Sequence, residues 1–491
     1  MTINGDPGEI TSARQTKIIA TLGPAVASAE AVMSLVEAGM NVARLNFSHG
    51  DHESHRRFVG WVREAAEACG VPVAVLQDIQ GPKLRVGRFP GGSVELPTGS
   101  EILLVPGDAE SAPGSISIDY PFLLDDVEVG EPVLLSDGLI RLEVTDRSSD
   151  RLLAQVIEGG ALFDHKGVAF PDTRLQVPAV TEKDRIDLEF GRSLGVDYVA
   201  ASFVRTAADI AEVASLAEPG TPVIAKIELA AALANLDEIL LSAQGALVAR
   251  GDLGVQLPLQ RIPLIQQDIL RRANRAGIIS ITATEMLESM TDSPRPTRAE
   301  VTDVASAIMG GTDAVMLSAE TAIGRYPIRA VQMMDAICRE VESGLRESEG
   351  IVDIAFLESN QTFPSATAKA AVDTAANLGL KTIAAFSESG NTARLLSKYR
   401  PQARIVAFSP EPATRNRMAL MWGVTPLAAE RRDSTDLMIA WAEKHLEKEG
   451  FCKEGEGVVM VAGTPPNEQA STNLMKLHVI GERRRRRHQQ G

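Results

Sequence analysis

Lys226 and Glu228 stand two positions apart in the apolar run PVIAKIE, so on a strand both side chains point to one face. Asp252 closes the next such run, GALVARGDL. Two carboxylates at neighbouring strand ends, with a lysine beside them, suit a hard divalent cation that keeps positions for substrate oxygens. An ordinary salt bridge accounts for the trio equally well. Around Asp252 the order Arg250-Gly251-Asp252-Leu253-Gly254 puts glycines where a helical turn would start. Free backbone N–H groups there bind carboxylate or phosphate, although a plain turn also needs glycine. Arg44 shares a strand face with Asn46 and Ser48 in ARLNFSHG. A guanidinium fork matches a phosphate bidentately; a structural pairing with a carboxylate is the competing reading. His49 falls in the following turn.

These residues need a frame that brings strand ends together. Eight runs supply one: KIIATLGP, NVARLNFS, VAVLQDI, YVAASFV, PVIAKIE, GALVARGDL, SITATEM and DAVMLSAE. Continuous apolar runs separated by helix-length segments fit parallel strands covered on both faces. Eight of them predict a (β/α)₈ barrel, whose strand C-termini face the active site. Asn46, Ser48, Asp78, Lys226, Glu228, Asp252, Thr284 and Glu320 all lie at such ends. The barrel is expected over residues 14–86 and 172–345. Residues 87–171 are rich in Gly, Pro and Asp with short alternating segments, which predicts a small antiparallel β domain inserted as a lid. Residues 346–482, with TIAAF, ARIVAF and GVVMVAG, predict an open α/β unit. The arginine run at 483–487 opens a tail, 483–491, that reads as solvated.

The chain has 491 residues, too many for one core. A net charge of -16 argues against nucleic acid as a partner, because a phosphate backbone needs a basic face. Cys69, Cys338 and Cys452 are far apart and make no zinc spacing, as expected of reduced thiols. The polar start and the absence of any long apolar stretch predict no leader and no membrane span, hence a cytoplasmic protein.

The runs IIATLGP, AGMNVARLNFSHG, GPKLRVG, PAVTEKD, ASFVR, IAKIE, VARGDLGV, ATEMLESM, PRPTRAE and SAETAIGRYP closely resemble the pyruvate kinases, in that family's order. The resemblance runs from about Lys17 to Gly481, where SKYRP and VAGTPPNEQASTN also fit. It implies a TIM barrel with an inserted small β-barrel lid and a C-terminal open α/β domain, in a homotetramer. It implies phosphoryl transfer from phosphoenolpyruvate to ADP, giving pyruvate and ATP, with Mg²⁺ or Mn²⁺ as cofactor. Glu228 and Asp252 are then the metal ligands, and Lys226 and Arg44 the cations on the moving phosphoryl group. Thr284 and Ser318 lie near the carbon that gains a proton. Gly251 and the Asp252 backbone cradle the substrate carboxylate. Pro24, Asn46, His49, Arg85 and Lys166 are nucleotide-side residues. Asn46, Ser48, Asp78 and Lys83 match the monovalent-ion site. Ser387, Ser389, Gly390, Asn391 and Thr392, before the segment TARLLSKY, make a candidate phosphate pocket for a phosphorylated effector; N-capping of that helix is the alternative.

The sequence departs from the family at a few places. Leu229-Ala230-Ala231-Ala232 replaces a more polar stretch after Glu228, and Glu285 and Gln256 stand where glutamine and glutamate are usual. Glu285 near an anionic substrate calls for a cationic partner, Arg295 or Arg298. Lys83 stands for a glutamate, and Ile79 for a threonine, in many K⁺-requiring members. A tethered ammonium supplies the charge that a bound K⁺ would, so K⁺-independence is expected. Two other readings remain at this stage: a metal-dependent lyase or aldolase on the same barrel, and a weakened paralogue that senses through its C-terminal unit.

Overall fold

The computed structural model describes residues 14–347, 362–464 and 471–482. The arginine run and residues 465–470 of VAGTPPNEQASTN lie outside the described residues.

All eight apolar runs form strands: β1 Lys17–Thr21, β2 Val42–Asn46, β3 Ala74–Asp78, β4 Tyr198–Ala201, β5 Val223–Ile227, β6 Gly245–Ala249, β7 Ile279–Ala283 and β8 Ala314–Leu317. They pair in parallel and close into a barrel in chain order, with β8 returning to β1. Alternation along each strand explains why the runs are apolar throughout. Ile19, Leu76, Ile224, Leu247 and Ile281 fill one core, inside the barrel. Their neighbours Ile18, Val75, Val223 and Val248 pack with the surrounding helices in another. Small residues such as Ala74, Ala200 and Ala314 let the inner layer close.

Between β3 and β4 lie a six-stranded and a two-stranded sheet spanning Ser93 to Ala169. Both share one apolar core, including Leu96, Leu104, Leu142 and Leu162. One pair differs from the antiparallel expectation: Glu101–Pro106 runs parallel to Ser115–Ile118.

The C-terminal unit is a five-stranded sheet: β9 Thr382–Phe386, β10 Arg404–Ser409, β11 Val424–Ala428, β12 Gly457–Gly463 and β13 Thr472–Val479. The order is β11-β10-β9-β12-β13, with only the edge strand β13 antiparallel. Sequence reading missed β11, which contains Pro426, and β13, where Thr472 and His478 are the buried residues while Met475, Leu477 and Val479 are exposed. Among the described residues no helix is long and apolar enough to cross a membrane.

Candidate active site

The barrel positions the candidate residues at one end. β5 carries Lys226 on its inward face, and Glu228 follows the strand directly. Two strands away β3 ends in Asp78, and beside it β2 carries Arg44. Lys226 Nζ lies 2.8 Å from Glu228 Oε1 and 3.2 Å from Asp78 Oδ1. It also donates to Ser202 Oγ, 2.7 Å away at the end of the intervening β4. Arg44 Nε donates to the other Asp78 oxygen at 2.7 Å, and its Nη1 donates to Thr21 Oγ1 at 2.9 Å. Glu228 Oε2 accepts the Phe203 amide at 2.7 Å. Asp78 and Glu228 are each only 1% exposed, so these are desolvated pairs.

Burial alone would push the Asp78 carboxyl up, but Lys226 and Arg44 outweigh it and hold the acid below the usual range. Burial opposes the Lys226 charge too, yet Asp78 and Glu228 raise the ammonium well above an ordinary lysine. Glu228 goes the other way. Burial pushes it up to about 7 against the pull of Lys226, and the like charge of Asp252 adds to the rise. Two carboxylates that repel each other in this way are a fitting donor pair for a divalent cation. Among the described residues no group of three or more His, Cys, Asp or Glu side chains could hold one. A cation on Glu228 and Asp252 would therefore complete its shell with other oxygens, as Mg²⁺ commonly does.

Across the mouth, Thr284 and Glu285 follow β7 with positive φ angles of 66° and 52°. Arg250 braces this strained turn, with Nε donating to the Ala283 carbonyl at 3.1 Å and Nη2 to the Thr284 carbonyl at 2.5 Å. The short helix Arg250–Gln256 starts directly after β6, and the Gly251 amide donates to Thr284 Oγ1 at 2.9 Å. That amide, expected to face a substrate carboxylate, is engaged by Thr284 in this structure. The Ser318 amide donates to Glu320 Oε2 at 2.6 Å, and Glu320 Oε1 accepts the Leu287 amide at 3.0 Å, which ties Ser318 to the Thr284 loop.

A cleft of about 1070 Å³ opens between this end of the barrel and the insertion. Glu228 and Asp252 line it, as do Lys83, Asp137 and Gly167. The nucleotide-side set is not joined to the ion-pair network: among the described residues no hydrogen bond or ion pair links Pro24, Asn46, Ser48, His49, Arg85 or Lys166 to Lys226, Glu228 or Asp252. Asn46 Oδ1 instead accepts the Ser48 amide at 3.1 Å, Arg85 donates to the His165 carbonyl at 2.9 Å, and Pro24 opens an exposed 3₁₀ turn. The Lys166 carbonyl accepts the Val86 amide at 2.9 Å. Because β2 ends at Asn46, Ser48 is beyond the alternation that grouped it with Arg44. His49 lies in the turn, its pKa lowered by burial and then by the charges of Arg85, Arg44, Lys83 and Lys183.

Sequence reading missed Ser202 and the Phe203 amide. The signal was present: Ser202 is the first polar residue after the apolar YVAA, in the same strand-end position as Asp78 and Glu228. The departures also find their surroundings. Gln256 Oε1 accepts the Ala230 amide at 2.9 Å, so a neutral side chain caps the altered stretch beside two carboxylates. Glu285 is exposed and makes no ion pair with Arg295 or Arg298, because its left-handed turn directs it to solvent.

In the C-terminal unit Ser387, Ser389, Asn391 and Thr392 line one cavity of about 320 Å³, with Arg431, Arg432 and Thr472. Gly390, at φ 85°, caps the helix Asn391–Lys398. The Thr392 amide donates to Ser387 Oγ at 3.3 Å, and Thr392 and Thr472 hydroxyls meet at 2.8 Å.

Comparison with known proteins agrees with this architecture. A family description, pyruvate kinase, barrel domain, matches residues 13–331, and pyruvate kinase, alpha/beta domain, matches residues 365–478. The chain is 46% identical to the pyruvate kinase of Geobacillus stearothermophilus over 475 residues, covering 96% of this chain and 81% of that protein. It is 42% identical to those of Sporosarcina psychrophila and Bacillus licheniformis over the same shares.

Proposed function

The chain belongs to the pyruvate kinase family, a family of phosphotransferases, and from that premise we propose that it transfers the phosphoryl group of phosphoenolpyruvate to ADP, giving pyruvate and ATP. The observation that carries the reading is the desolvated network of Arg44, Asp78, Lys226 and Glu228 beside Asp252. Phosphoryl transfer asks little covalent help of a protein; it asks for alignment and for positive charge where charge spreads over the moving group.

In this reading Glu228 and Asp252 hold Mg²⁺ or Mn²⁺, which supplies charge to the substrate oxygens when bound. Asp78 aims two cations at once, because its two oxygens take Arg44 and Lys226 separately. Neither cation then has to be ordered when substrate arrives. Thr284, braced by Arg250, and Ser318, tied to the same loop through Glu320, flank the carbon that gains a proton. Pro24, Asn46, His49, Arg85 and Lys166 face the nucleotide, and the insertion over the cleft excludes water that would otherwise accept the phosphoryl group.

Finer parts of the reading rest on single features. Lys83, on the cleft wall, replaces a bound K⁺, so the enzyme works without that ion. The cavity at Ser387–Thr392 takes a phosphorylated effector. The working form is a cytoplasmic homotetramer, as is common in the family. The domain divisions proposed are 14–86 with 172–345, 87–171 and 346–482. A coupled assay for pyruvate from phosphoenolpyruvate and ADP tests the central claim. Absence of turnover in the presence of Mg²⁺ and Mn²⁺ would return the lyase and weakened-paralogue readings to first place.

A further inference from the structure

The motif PAVTEKD has no role in the site described above, yet its side chains reach both loops beside that site. The helix Glu182–Leu194 begins where the chain returns from the insertion. Its cap residue Thr181 and Asp184 form a reciprocal box, with Asp184 Oδ2 accepting the Thr181 amide at 2.9 Å and its hydroxyl at 2.6 Å. The other Asp184 oxygen accepts the Gly81 amide at 3.1 Å. Gly81 is the point where the chain leaves β3 for the insertion, at φ 67°, and a Cβ there would come within about 3.0 Å of Ser202 and Phe203. Asp184, fully buried, therefore ties the outgoing linker of the insertion to its return.

Lys183 points to the other loop. Its Nζ donates to the Phe47 carbonyl at 2.6 Å and to Asp187 Oδ2 at 2.5 Å. Asp187 Oδ1 meets His52 Nε2 at 2.7 Å, and the Asp187 carbonyl accepts from Gln77 of β3 at 2.6 Å. Phe47 lies between Asn46 and Ser48, and its own amide donates to the Asp78 carbonyl at 2.9 Å. Its ring stacks on His55, whose Nε2 lies 3.0 Å from the His49 carbonyl. The short loop 46–49 is thus pinned on one side to Asp78, which aims Arg44 and Lys226, and on the other to Lys183.

We propose that Lys183 is a positioning residue for the nucleotide-side loop: by holding the Phe47 carbonyl it fixes Asn46, Ser48 and His49 relative to the linker that Asp184 fixes, so that the loop and the base of the insertion are set by one helix turn. A methyl-terminated side chain at 183 leaves the Phe47 carbonyl and the buried Asp187 without that ammonium, and the loop loses its anchor away from the catalytic network. The arrangement bears on the nucleotide rather than on phosphoenolpyruvate, because Lys183 bonds to none of Arg44, Lys226, Glu228 or Asp252. The inference rests on the phosphotransfer reading for its kinetic part only.

The test compares the full-length chain with Lys183→Met and Lys183→Arg. Steady-state KM for ADP and for phosphoenolpyruvate are measured separately, with amide hydrogen exchange over residues 47–50 and the thermal midpoint alongside. The expected result is a KM for ADP raised about tenfold in Lys183→Met. KM for phosphoenolpyruvate should change less than twofold, exchange at 47–50 should be faster, and Lys183→Arg should recover most of the loss. Unchanged exchange at 47–50 would overturn the proposal, as would equal rises in both KM values that track a lower thermal midpoint. If the wild-type chain makes no pyruvate from phosphoenolpyruvate and ADP, the phosphotransfer reading fails by that result, and the exchange experiment still decides whether Lys183 anchors the loop.

Discussion

Lys226 Nζ lies 3.2 Å from Asp78 Oδ1, although their strands are not neighbours: the ammonium passes the end of β4, where Ser202 meets it. Asp78 thereby holds both Lys226 and Arg44. Asp78→Asn should keep the barrel and its packing but leave two buried cations with one counterion fewer. A charged hydrogen bond at this depth contributes about 1.5–3 kcal/mol, so kcat/KM for phosphoenolpyruvate should fall on the order of 10- to 100-fold. Steady-state kinetics on a variant with unchanged circular dichroism would check this. A change below twofold would mean that Asp78 does not aim the two cations.

Lys226→Met probes the same network from its centre. It removes charge directed at the transferring group, and it leaves Asp78 and Glu228 facing each other without an ammonium between them. Loss of one such electrostatic contact costs on the order of 3 kcal/mol or more, so kcat should drop by at least about a hundredfold. A folded variant with near-normal kcat would remove Lys226 from the chemistry.

The barrel was readable because each of its strands carries a short apolar run ending in a polar residue, and because closure brings those ends together. That made Lys226, Glu228 and Asp252 legible as a trio and placed Asp78 among the strand-end polar residues, whereas the pairing of Asp78 with Lys226 emerges only in the fold. Three things were not readable. The Phe203 amide acts as a backbone group, which no side-chain pattern marks, unlike the Ser202 hydroxyl at its strand end. The capture of the Gly251 amide by Thr284 depends on two consecutive left-handed residues, Thr284 and Glu285, that sequence gives no reason to expect. The edge strand β13 pairs on one side only and inverts the usual pattern, burying Thr472 and His478 while Met475, Leu477 and Val479 stay exposed.

The cavity beside Gly390 makes a second kind of claim. Arg431 reaches it but is shared with Glu388 at 3.2 Å and Glu411 at 2.6 Å, while the Thr392 hydroxyl is shared with Thr472. A phosphorylated ligand would have to compete with these pairings, so binding at micromolar or weaker affinity is expected. Sugar phosphates and AMP, screened by thermal shift and by the KM for phosphoenolpyruvate, should include at least one that shifts both. If none shifts either quantity, the hydroxyls are N-caps and nothing more.

Lys83 carries the prediction on monovalent ions. It lines the cleft that Glu228 and Asp252 line, and its charge is felt at His49. Full activity is expected in tetramethylammonium buffers at fixed ionic strength, with no more than about a twofold gain on adding K⁺. A hundredfold activation by K⁺ corresponds to about 2.7 kcal/mol of transition-state stabilisation that Lys83 would have failed to supply.

A pH-dependent stability should arise far from the cleft, at Lys17. This lysine starts β1, is 7% exposed, and donates to the Val424 carbonyl of the C-terminal sheet at 2.8 Å. Burial, with the charges of Arg14 and Arg404 and against the pull of Glu342, brings its pKa down to about 7. In the unfolded chain the same group keeps its proton up to about 10.4. Below pH 7 both states are protonated and the cost of burying the ammonium is fully present. Between about 7 and 10.4 the unfolded state binds more protons than the folded one, so this group makes the folded state more stable as pH rises. Lys17→Met removes that dependence. It should raise stability at pH 6, by up to a few kcal/mol less about 1 kcal/mol for the lost hydrogen bond, and its advantage should shrink steadily toward pH 10. Urea unfolding of both proteins at pH 6, 8 and 9.5 gives the comparison. Parallel stability curves, with the same difference at every pH, would mean that Lys17 remains protonated in the fold across that range.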